Sequence, residues 1–372
     1  VILVAIAVSL TKPAFGNYTA PAAIAALPPA WFQLAPTGGP PQGRGGFNLA
    51  VGFDQTNDRL IFFGGLGSGN VQLNDTWVLS GADGTVAGPT WTQLSTVNPP
   101  AGRFNHSAAY DATDNMLIVY GGCLGLCTPI DNSVYTLTHA NGLGGTPTWT
   151  QLSAAGGPPT TRDAASAVYD PTTNSLIIFG GDNCCGGRYN DTWVLSNASG
   201  LGGGTPTWTQ LSTAGGPPPA RVPNGAVYDA TNNRMIIFGG YDCCGNTLND
   251  TWVLSNANGT GGAPTWTQLS PTGTLPTARG ATSVVYDSSA NKLIIVDGSS
   301  LSGFLSDIWT LTHANGLGGK PAWSKATPVS TSPSARCCFA AGYNTSQHRL
   351  VIFGGSDSTG TITDTWVLMN IR

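Results

Sequence analysis

The sequence predicts an all-β fold built from six repeated four-stranded sheets. Three observations lead to this prediction: the composition, a repeat period of 57–59 residues, and an incomplete unit at each end of the chain. The chain has 51 Gly and 26 Pro, and its 19 acidic residues are all Asp. Good helix formers are scarce, whereas Thr, Val, Trp and Tyr favour strands.

The repeat is marked by six Arg residues at positions 44, 103, 162, 221, 279 and 336. In the third unit, RDAASAVYD at 162–170 is followed by LIIFGG at 176–181, NDTWVL at 190–195 and PTWTQL at 206–211. These four β-rich runs, named a to d, are separated by turn-forming residues. Four short strands in a repeat of this length are typical of one blade of a β-propeller.

The recurring features resemble those of kelch repeats over residues 31–372. A diglycine follows an apolar strand, an aromatic residue follows about twelve positions later, and a second aromatic lies further on. The resemblance implies a six-bladed propeller with four antiparallel strands per blade. Two copies depart from the pattern: Tyr135 replaces the strand-c Trp in the second unit, and Asp297 replaces the first glycine in the fifth. Because glycine permits a positive φ, we expect the fifth b–c loop to differ from the others.

The chain ends indicate how the ring closes. The segment WFQL at 31–34 is a strand d with no preceding strands a to c, and the chain ends after a strand c. The sixth blade should therefore combine residues 336–368 with residues 31–34. This pairing would remove two open sheet edges, which otherwise invite aggregation.

The repeated Trp, Arg and Asp residues have predicted structural roles. All 11 Trp lie in strands c and d, where we expect them to pack between neighbouring blades. Each Arg begins a strand a, and an Asp begins each strand c at positions 75, 131, 191, 250, 307 and 364. Six structural Arg–Asp pairs are favoured. The alternative is a ring of Arg at the channel mouth that binds an anionic partner.

Eight cysteines lie on the face that carries the b–c and d–a loops. Disulfides are favoured over zinc, because no pair has CxxC spacing and no His is close. Cys123 and Cys127 form a natural loop clip, and the three adjacent pairs bridge either within themselves or across blades. This face is the candidate binding face for a protein or a glycan. Its candidate residues are Cys123, Cys127, Cys184, Cys185, Cys243, Cys244, Cys337, Cys338, Arg44, Arg103, Arg162, Arg221, Arg279 and Arg336.

The first 30 residues are expected to form a separate segment. Residues 1–10, VILVAIAVSL, are apolar and too short to span a bilayer, and residues 11–30 are an Ala/Pro-rich linker. The apolar run is either a signal peptide or a retained arm that adds a strand to a neighbouring copy and builds a fibre. The candidate assembly strand is Val1, Ile2, Leu3, Val4, Ala5, Ile6, Ala7 and Val8.

The sequence predicts a non-catalytic interaction or structural module that is secreted or displayed at the cell surface. The net charge is −4 and Lys and Arg are not clustered, so no binding to nucleic acid or to an anionic membrane is expected. No membrane span is expected either, because the apolar run at residues 1–10 is too short. The four His are dispersed, and no catalytic, metal or cofactor motif is present. The alternative is a carbohydrate-active enzyme with its site at the channel mouth, because galactose oxidase and sialic-acid epimerases are similar kelch propellers. Eight N-x-S/T triplets leave glycosylation open.

Overall fold

The computed structural model describes residues 27–46, 50–126, 128–183 and 187–372. Within them the chain forms six antiparallel sheets around a central axis, as the sequence predicts. Strand a of each blade is innermost and contacts strand a of both neighbouring blades, including blade 6 with blade 1. Strand d is outermost. The b–c and d–a loops lie on one face, the upper face, and the a–b and c–d loops lie on the lower face.

The strands are numbered by blade and lettered from the axis outward. Their bounds, in the order a, b, c and d, are Ala50–Asp54, Arg59–Gly67, Gln72–Ser80 and Thr90–Leu94 in blade 1; Ser107–Asp111, Met116–Cys123, Ile130–Thr138 and Trp149–Gln151 in blade 2; Ser166–Asp170, Ser175–Phe179, Thr192–Ser196 and Thr207–Gln210 in blade 3; Ala226–Asp229, Arg234–Asp242, Thr247–Ser255 and Thr265–Gln268 in blade 4; Ser283–Asp287, Lys292–Ser300, Gly303–Thr312 and Ala322–Ala326 in blade 5; and Ala340–Asn344, Arg349–Phe353, Thr365–Met369 and Ala30–Leu34 in blade 6. Shorter elements are the strands Arg44–Gly45, Arg221–Val222, Ser356–Asp357 and Gly360–Thr361 and the 3₁₀ helix Ser68–Asn70.

The first strand of the chain completes the last blade. Ala30–Leu34 pairs antiparallel with Thr365–Met369, which places Trp31 opposite Leu368. The connector that leaves blade 5 strengthens the contact, because Ser330 Oγ accepts the Trp31 amide at 2.6 Å and donates to the Trp31 carbonyl at 2.8 Å. The two ends of the ring are therefore joined within a single sheet.

The core lies between blades, and each of six apolar clusters spans one pair of neighbours. At five of the six junctions the buried Trp of strand d packs on the strand-b aromatic ring of the preceding blade, and at the sixth Trp31 lies in one cluster with apolar residues of blade 5. Trp149 lies 4.7 Å from Phe63 between ring centroids, and Trp91 lies 4.6 Å from Phe353 across the junction of blades 6 and 1. Aromatic pairs at these distances add to the free energy of apolar burial. The predicted packing role of these Trp residues is confirmed.

The outer strands are covered by the connectors of the preceding blades. Thr37 donates its amide to the Pro89 carbonyl and accepts the Trp91 amide, both at 2.9 Å. Equivalent pairs recur at later blades, for example at Trp149, Trp208 and Trp266. This cover protects part of each blade edge, where unpaired strand groups would otherwise attract another chain.

The diglycine after strand b marks a bulge at the upper face. The first glycine has a positive φ, and a Cβ on Gly121 would lie 2.7 Å from the Arg162 carbonyl of the next blade. Asp297 takes the same place with φ 52°, and Gly298 still donates to the Arg336 carbonyl at 2.9 Å. The substitution therefore leaves the bulge in place, whereas beyond the bulge both strands of blade 5 continue into a hairpin that turns between Ser300 and Gly303. The substitution also buries a carboxyl whose Oδ2 has no hydrogen-bond partner among the described residues.

Candidate functional site

A buried arginine fixes the point at which each b–c loop leaves its blade. In blade 3, the Arg162 guanidinium contacts Asp191 through two hydrogen bonds of 2.6 and 2.9 Å. It also donates to the carbonyls of Gly180, at 3.0 Å, and Thr160, at 3.1 Å. The Asp191 carboxylate accepts the indole N–H of Trp193 at 2.7 Å. One side chain thus joins the d–a connector, the end of strand b and the start of strand c.

The same arrangement recurs in every blade. The ion pairs are Arg44–Asp75, Arg103–Asp131, Arg162–Asp191, Arg221–Asp250, Arg279–Asp307 and Arg336–Asp364. Each Arg side chain is 0–1% exposed. The favoured Arg–Asp pairs are present, and each partner belongs to the same blade. The alternative, a ring of anion-binding arginines at the channel mouth, is wrong, because the guanidinium groups of these six arginines are buried.

The carboxylates of these pairs are held in the ionised form. Burial opposes ionisation of Asp191, but the hydrogen bonds and positive charge of Arg162 and the indole N–H of Trp193 outweigh it. The pKa of Asp191 is therefore lowered from its ordinary value. The same causes lower the pKa of Asp75, Asp250, Asp307 and Asp364.

Blade 2 reaches the same result with different residues. Tyr135 replaces the strand-c Trp and has no indole N–H to offer to Asp131. Oδ1 of Asp131 instead accepts the Ser133 amide at 3.0 Å and the Ser133 hydroxyl at 2.8 Å. The Arg103 guanidinium lies over the Tyr135 ring, 4.8 Å from its centroid, so a cation–π contact supports the arginine.

The b–c loops on these bases differ from blade to blade. Blade 1 carries the 3₁₀ helix Ser68–Asn70, blade 5 continues both strands into a hairpin, and blade 6 has the small hairpin Ser356–Thr361. Large apolar side chains are exposed in them: Val71, Leu126, Leu301 and Phe304 are 54%, 61%, 76% and 38% exposed. Variable loops on a rigid scaffold are a usual location for binding.

The cysteines of the candidate binding face occupy different environments. Cys243 and Cys244 are exposed, and their sulfurs lie 3.4 Å apart, beyond disulfide length. Cys337 is buried, Cys338 lines the upper channel, and both are thiols. Cys123 is buried, and its Sγ lies 3.2 Å from Asp163 Oδ2. Cys127, Cys184 and Cys185, like the candidate assembly strand at residues 1–8, lie outside the described residues.

The axial channel is lined by strands a in two sections. The upper section is a cavity of about 160 Å³ lined mainly by small side chains such as Ser107, Ser166 and Ala226. The lower section, about 360 Å³, is lined by an aromatic residue from each blade. Its hydroxyl groups are used between blades, since Tyr169 donates to Asp111 of the preceding blade at 2.9 Å.

Side-chain chemistry in the described part of the chain is otherwise sparse. No group of three or more His, Cys or Asp residues there could hold a metal ion. The helices of that part include none with the length and apolarity needed to cross a bilayer. Three glycosylation triplets begin at buried asparagines, Asn105, Asn258 and Asn344, so the folded chain does not present these amides.

Sequence reasoning missed a second set of junction contacts, on the lower face. The Asp that ends strand a forms the a–b turn, as expected, and in blades 1, 3 and 4 it also binds the c–d loop of the next blade. Asn141 donates to Asp54 at 2.6 Å, and Asn258 donates to Asp170 at 2.7 Å. The recurrence of Asn before glycine in that loop was the available signal.

A ring of six four-stranded blades with a diglycine bulge and an aromatic-packed core defines the class of kelch-type propellers. The family model described as the KLHDC2/KLHL20/DRC7 Kelch-repeats domain matches residues 28–199, 111–314 and 201–371. These matches span nearly the whole described chain. The protein belongs to the kelch-repeat family, and a kelch propeller is generally a protein-interaction module.

Two curated relatives are similar at low identity. Putative adagio-like protein 2 of Oryza sativa subsp. japonica is 28% identical over 314 residues, which cover 80% of this chain and 37% of that protein. An F-box/kelch-repeat protein of Arabidopsis thaliana is 22% identical over 321 residues, covering 80% of this chain and 64% of its own length. This chain thus spans about one third to two thirds of these relatives.

Among solved structures, the chain is similar to that of YjhT. The TM-score is 0.59 at 16% identity, and the match covers 89% of this chain and 95% of the other. At this identity, the likeness supports the propeller fold alone.

Loss of one buried arginine should cost far more stability than loss of a partly exposed one. Arg162→Ala leaves the Asp191 carboxylate without its cation, and we expect the free energy of unfolding to fall by about 3–5 kcal/mol. The control is Arg188→Ala, because Arg188 and Asp182 each keep 17% of the side chain exposed and are joined by a single side-chain hydrogen bond of 3.1 Å. We expect a smaller loss there, because water screens a partly exposed pair more than a fully buried one. Chemical denaturation measures both.

The variant Arg162→Met with Asp191→Leu removes both charges and should recover part of the loss. Equal losses for Arg162→Ala and Arg188→Ala would contradict the assigned role of the buried pair.

Proposed function

We propose that this protein is a non-catalytic interaction module that binds a protein partner through the b–c loops of its upper face. The observation that carries the proposal is the contrast between loop and base. The six Arg–Asp pairs hold the bases in one geometry, whereas the loops above them differ in structure and in exposed side chains. Such an arrangement lets surface chemistry vary without disturbing the blades.

The lower face supports this choice of surface by comparison. Its exposed leucines, Leu143, Leu201 and Leu317, occupy equivalent positions in a repeated c–d connector. They are therefore part of the repeat pattern. The apolar residues of the upper face stand in loops that have no equivalent in other blades, which is a better basis for recognising one particular partner.

The proposal extends to where the protein works and to how its copies assemble. Low charge and abundant Asn, Thr and Gly support a protein that works outside the cell. The expected disulfides do not support it, because Cys243, Cys244, Cys337 and Cys338 are free thiols. The apolar run at residues 1–10 supports either export or a strand that pairs with a neighbouring copy. A protein or a glycan is then the external partner, and a second copy is the partner of the arm.

The face that binds can be identified with paired charge insertions. The partner is first recovered by cross-linking in the source organism and then purified. We expect Leu301→Asp with Phe304→Asp to weaken binding about 10-fold or more, because two carboxylates would have to be buried in the contact without partners. The lower-face control, Leu201→Asp with Leu317→Asp, should change Kd less than twofold, as measured by calorimetry. A loss confined to the lower-face variant would contradict the proposal.

The role of the arm is tested by removing it. A chain that begins at residue 27 keeps every strand of the propeller, so its melting temperature should match that of the full chain. If the arm joins copies, light scattering should detect polymers of the full chain alone. Identical molar masses for the two chains at the same concentration would overturn the assembly proposal and leave the upper-face proposal intact.

A further inference from the structure

The junction of blade 6 with blade 1 carries an acid pair where comparable positions of other blades carry amides. The residue before strand b is Asn115, Asn174, Asn233 or Asn291 in blades 2 to 5, but Asp58 in blade 1. The facing c–d position is Asn141, Asn258 or Asn315 in blades 2, 4 and 5, but Asp83 in blade 1.

The amide pairs show what geometry the position requires. The side-chain oxygen of Asn115 accepts the main-chain N–H of Asn141 at 3.0 Å, and Asn115 Nδ2 donates to Asn141 Oδ1 at 2.7 Å. In blade 1, Asp58 Oδ1 accepts the Asp83 amide N–H at 2.8 Å. Asp58 Oδ2 takes the place of the Nδ2 donor, and it is buried with no hydrogen-bond partner among the described residues. The position therefore lacks a donor unless Asp58 carries a proton.

The hydrogen bonds of Asp83 make it the acceptor of the pair. Asp83 Oδ1 accepts the Thr85 amide at 2.8 Å and the Thr85 hydroxyl at 2.6 Å, and Oδ2 accepts Asn344 Nδ2 of blade 6 at 2.7 Å. Both oxygens act as acceptors, which suits an ionised carboxylate. Asn344 itself replaces the Asp that ends strand a in the other blades, so the donor and acceptor are exchanged across this junction alone.

The cations near the pair form their hydrogen bonds with groups other than its two carboxyls. Arg349 of blade 6 donates to the Asp83 main-chain carbonyl at 2.9 Å, and Arg59 donates to the Asn141 carbonyl of blade 2 at 3.0 Å. His348 lies 3.4 Å from Asp287, on the side of blade 5. Asp54, at the start of the same turn, is occupied by Asn57 and Asn141.

We propose that Asp58 holds a proton that it donates to Asp83, and that this proton makes the junction that closes the ring sensitive to pH. With the proton on Asp58, Oδ2–H donates to Asp83 as the Asn115 amide does to Asn141, and the junction is complete. Without it, two carboxylates face one another and the junction weakens. Lower pH therefore tightens the ring at this junction, and higher pH loosens it.

The direction of the effect follows from the pKa of Asp58. Burial raises it, the Asp83 amide opposes this, and the negative charge of Asp83 raises it further, to about 6 from the ordinary 3.8. The folded chain thus holds the proton more tightly than the unfolded chain. The contribution to stability is full below about pH 4 and is lost as the pH rises to about 6.

The test is Asp58→Asn, which installs the residue found in blades 2 to 5. We expect the variant to melt at the wild-type temperature at pH 4 and about 2 °C or more above it at pH 7.5. The control is Asp114→Asn, which removes a carboxylate from the exposed a–b turn of blade 2 and should shift the melting temperature equally at both pH values.

Two further readouts separate the proton from other causes. The infrared spectrum of the wild type minus Asp58→Asn should show a protonated carboxyl band that disappears between pH 5 and pH 7. A variant that melts at or below the wild-type temperature at pH 7.5 would overturn the proposal. So would Ca²⁺ stabilisation at pH 7.5 of the wild type alone, because the pair would then hold a cation instead of a proton.

Discussion

The fold depends on joining the two ends of the chain within one blade. Six sheets arranged around an axis bury their apolar faces against each other. A gap in the ring would therefore expose the apolar faces of the two blades beside it. The chain avoids this by placing Ala30–Leu34 beside Thr365–Met369. Trp31 then belongs to the cluster between blades 5 and 6, while Phe32 and Leu34 of the same strand pack against the cluster between blades 6 and 1. The latch therefore completes the contacts of blade 6 with both neighbours.

Ring closure and the buried ion pairs stabilise different parts of the scaffold. The apolar clusters hold blade to blade, and each Arg–Asp pair holds the start of strand c against the end of strand b within its blade. The side chain of Arg162 is fully buried. It donates hydrogen bonds to the Asp191 carboxylate and to the carbonyls of Gly180 and Thr160, so few of its N–H groups lack a partner. Buried charge is tolerated only with such partners. The upper loops can therefore vary because their bases are fixed independently of them.

Most of the architecture was predictable from the sequence, because a repeat shows each position several times. The blade count, the latch and the Trp packing followed from the register of residues such as Trp31, Trp91 and Trp149. The retained bulge at Asp297 was not predictable, because the rarity of a positive φ in aspartate does not reveal that neighbouring hydrogen bonds hold the backbone in place. The pair Asp58 and Asp83 was also missed. The role of this pair depends on the hydrogen bond between Asp83 and Asn344. These residues are 261 positions apart in the sequence and come into contact only when the ring is closed.

The most direct test of the account is the stability of a chain that begins at residue 36. This chain lacks only the latch strand and the segments before it, so strand c of blade 6 gains an open edge. We expect a lower melting temperature than that of a chain beginning at residue 27, with restoration when a peptide covering residues 27–36 is added back. Equal melting temperatures for the two chains would show that the ring does not need the first strand.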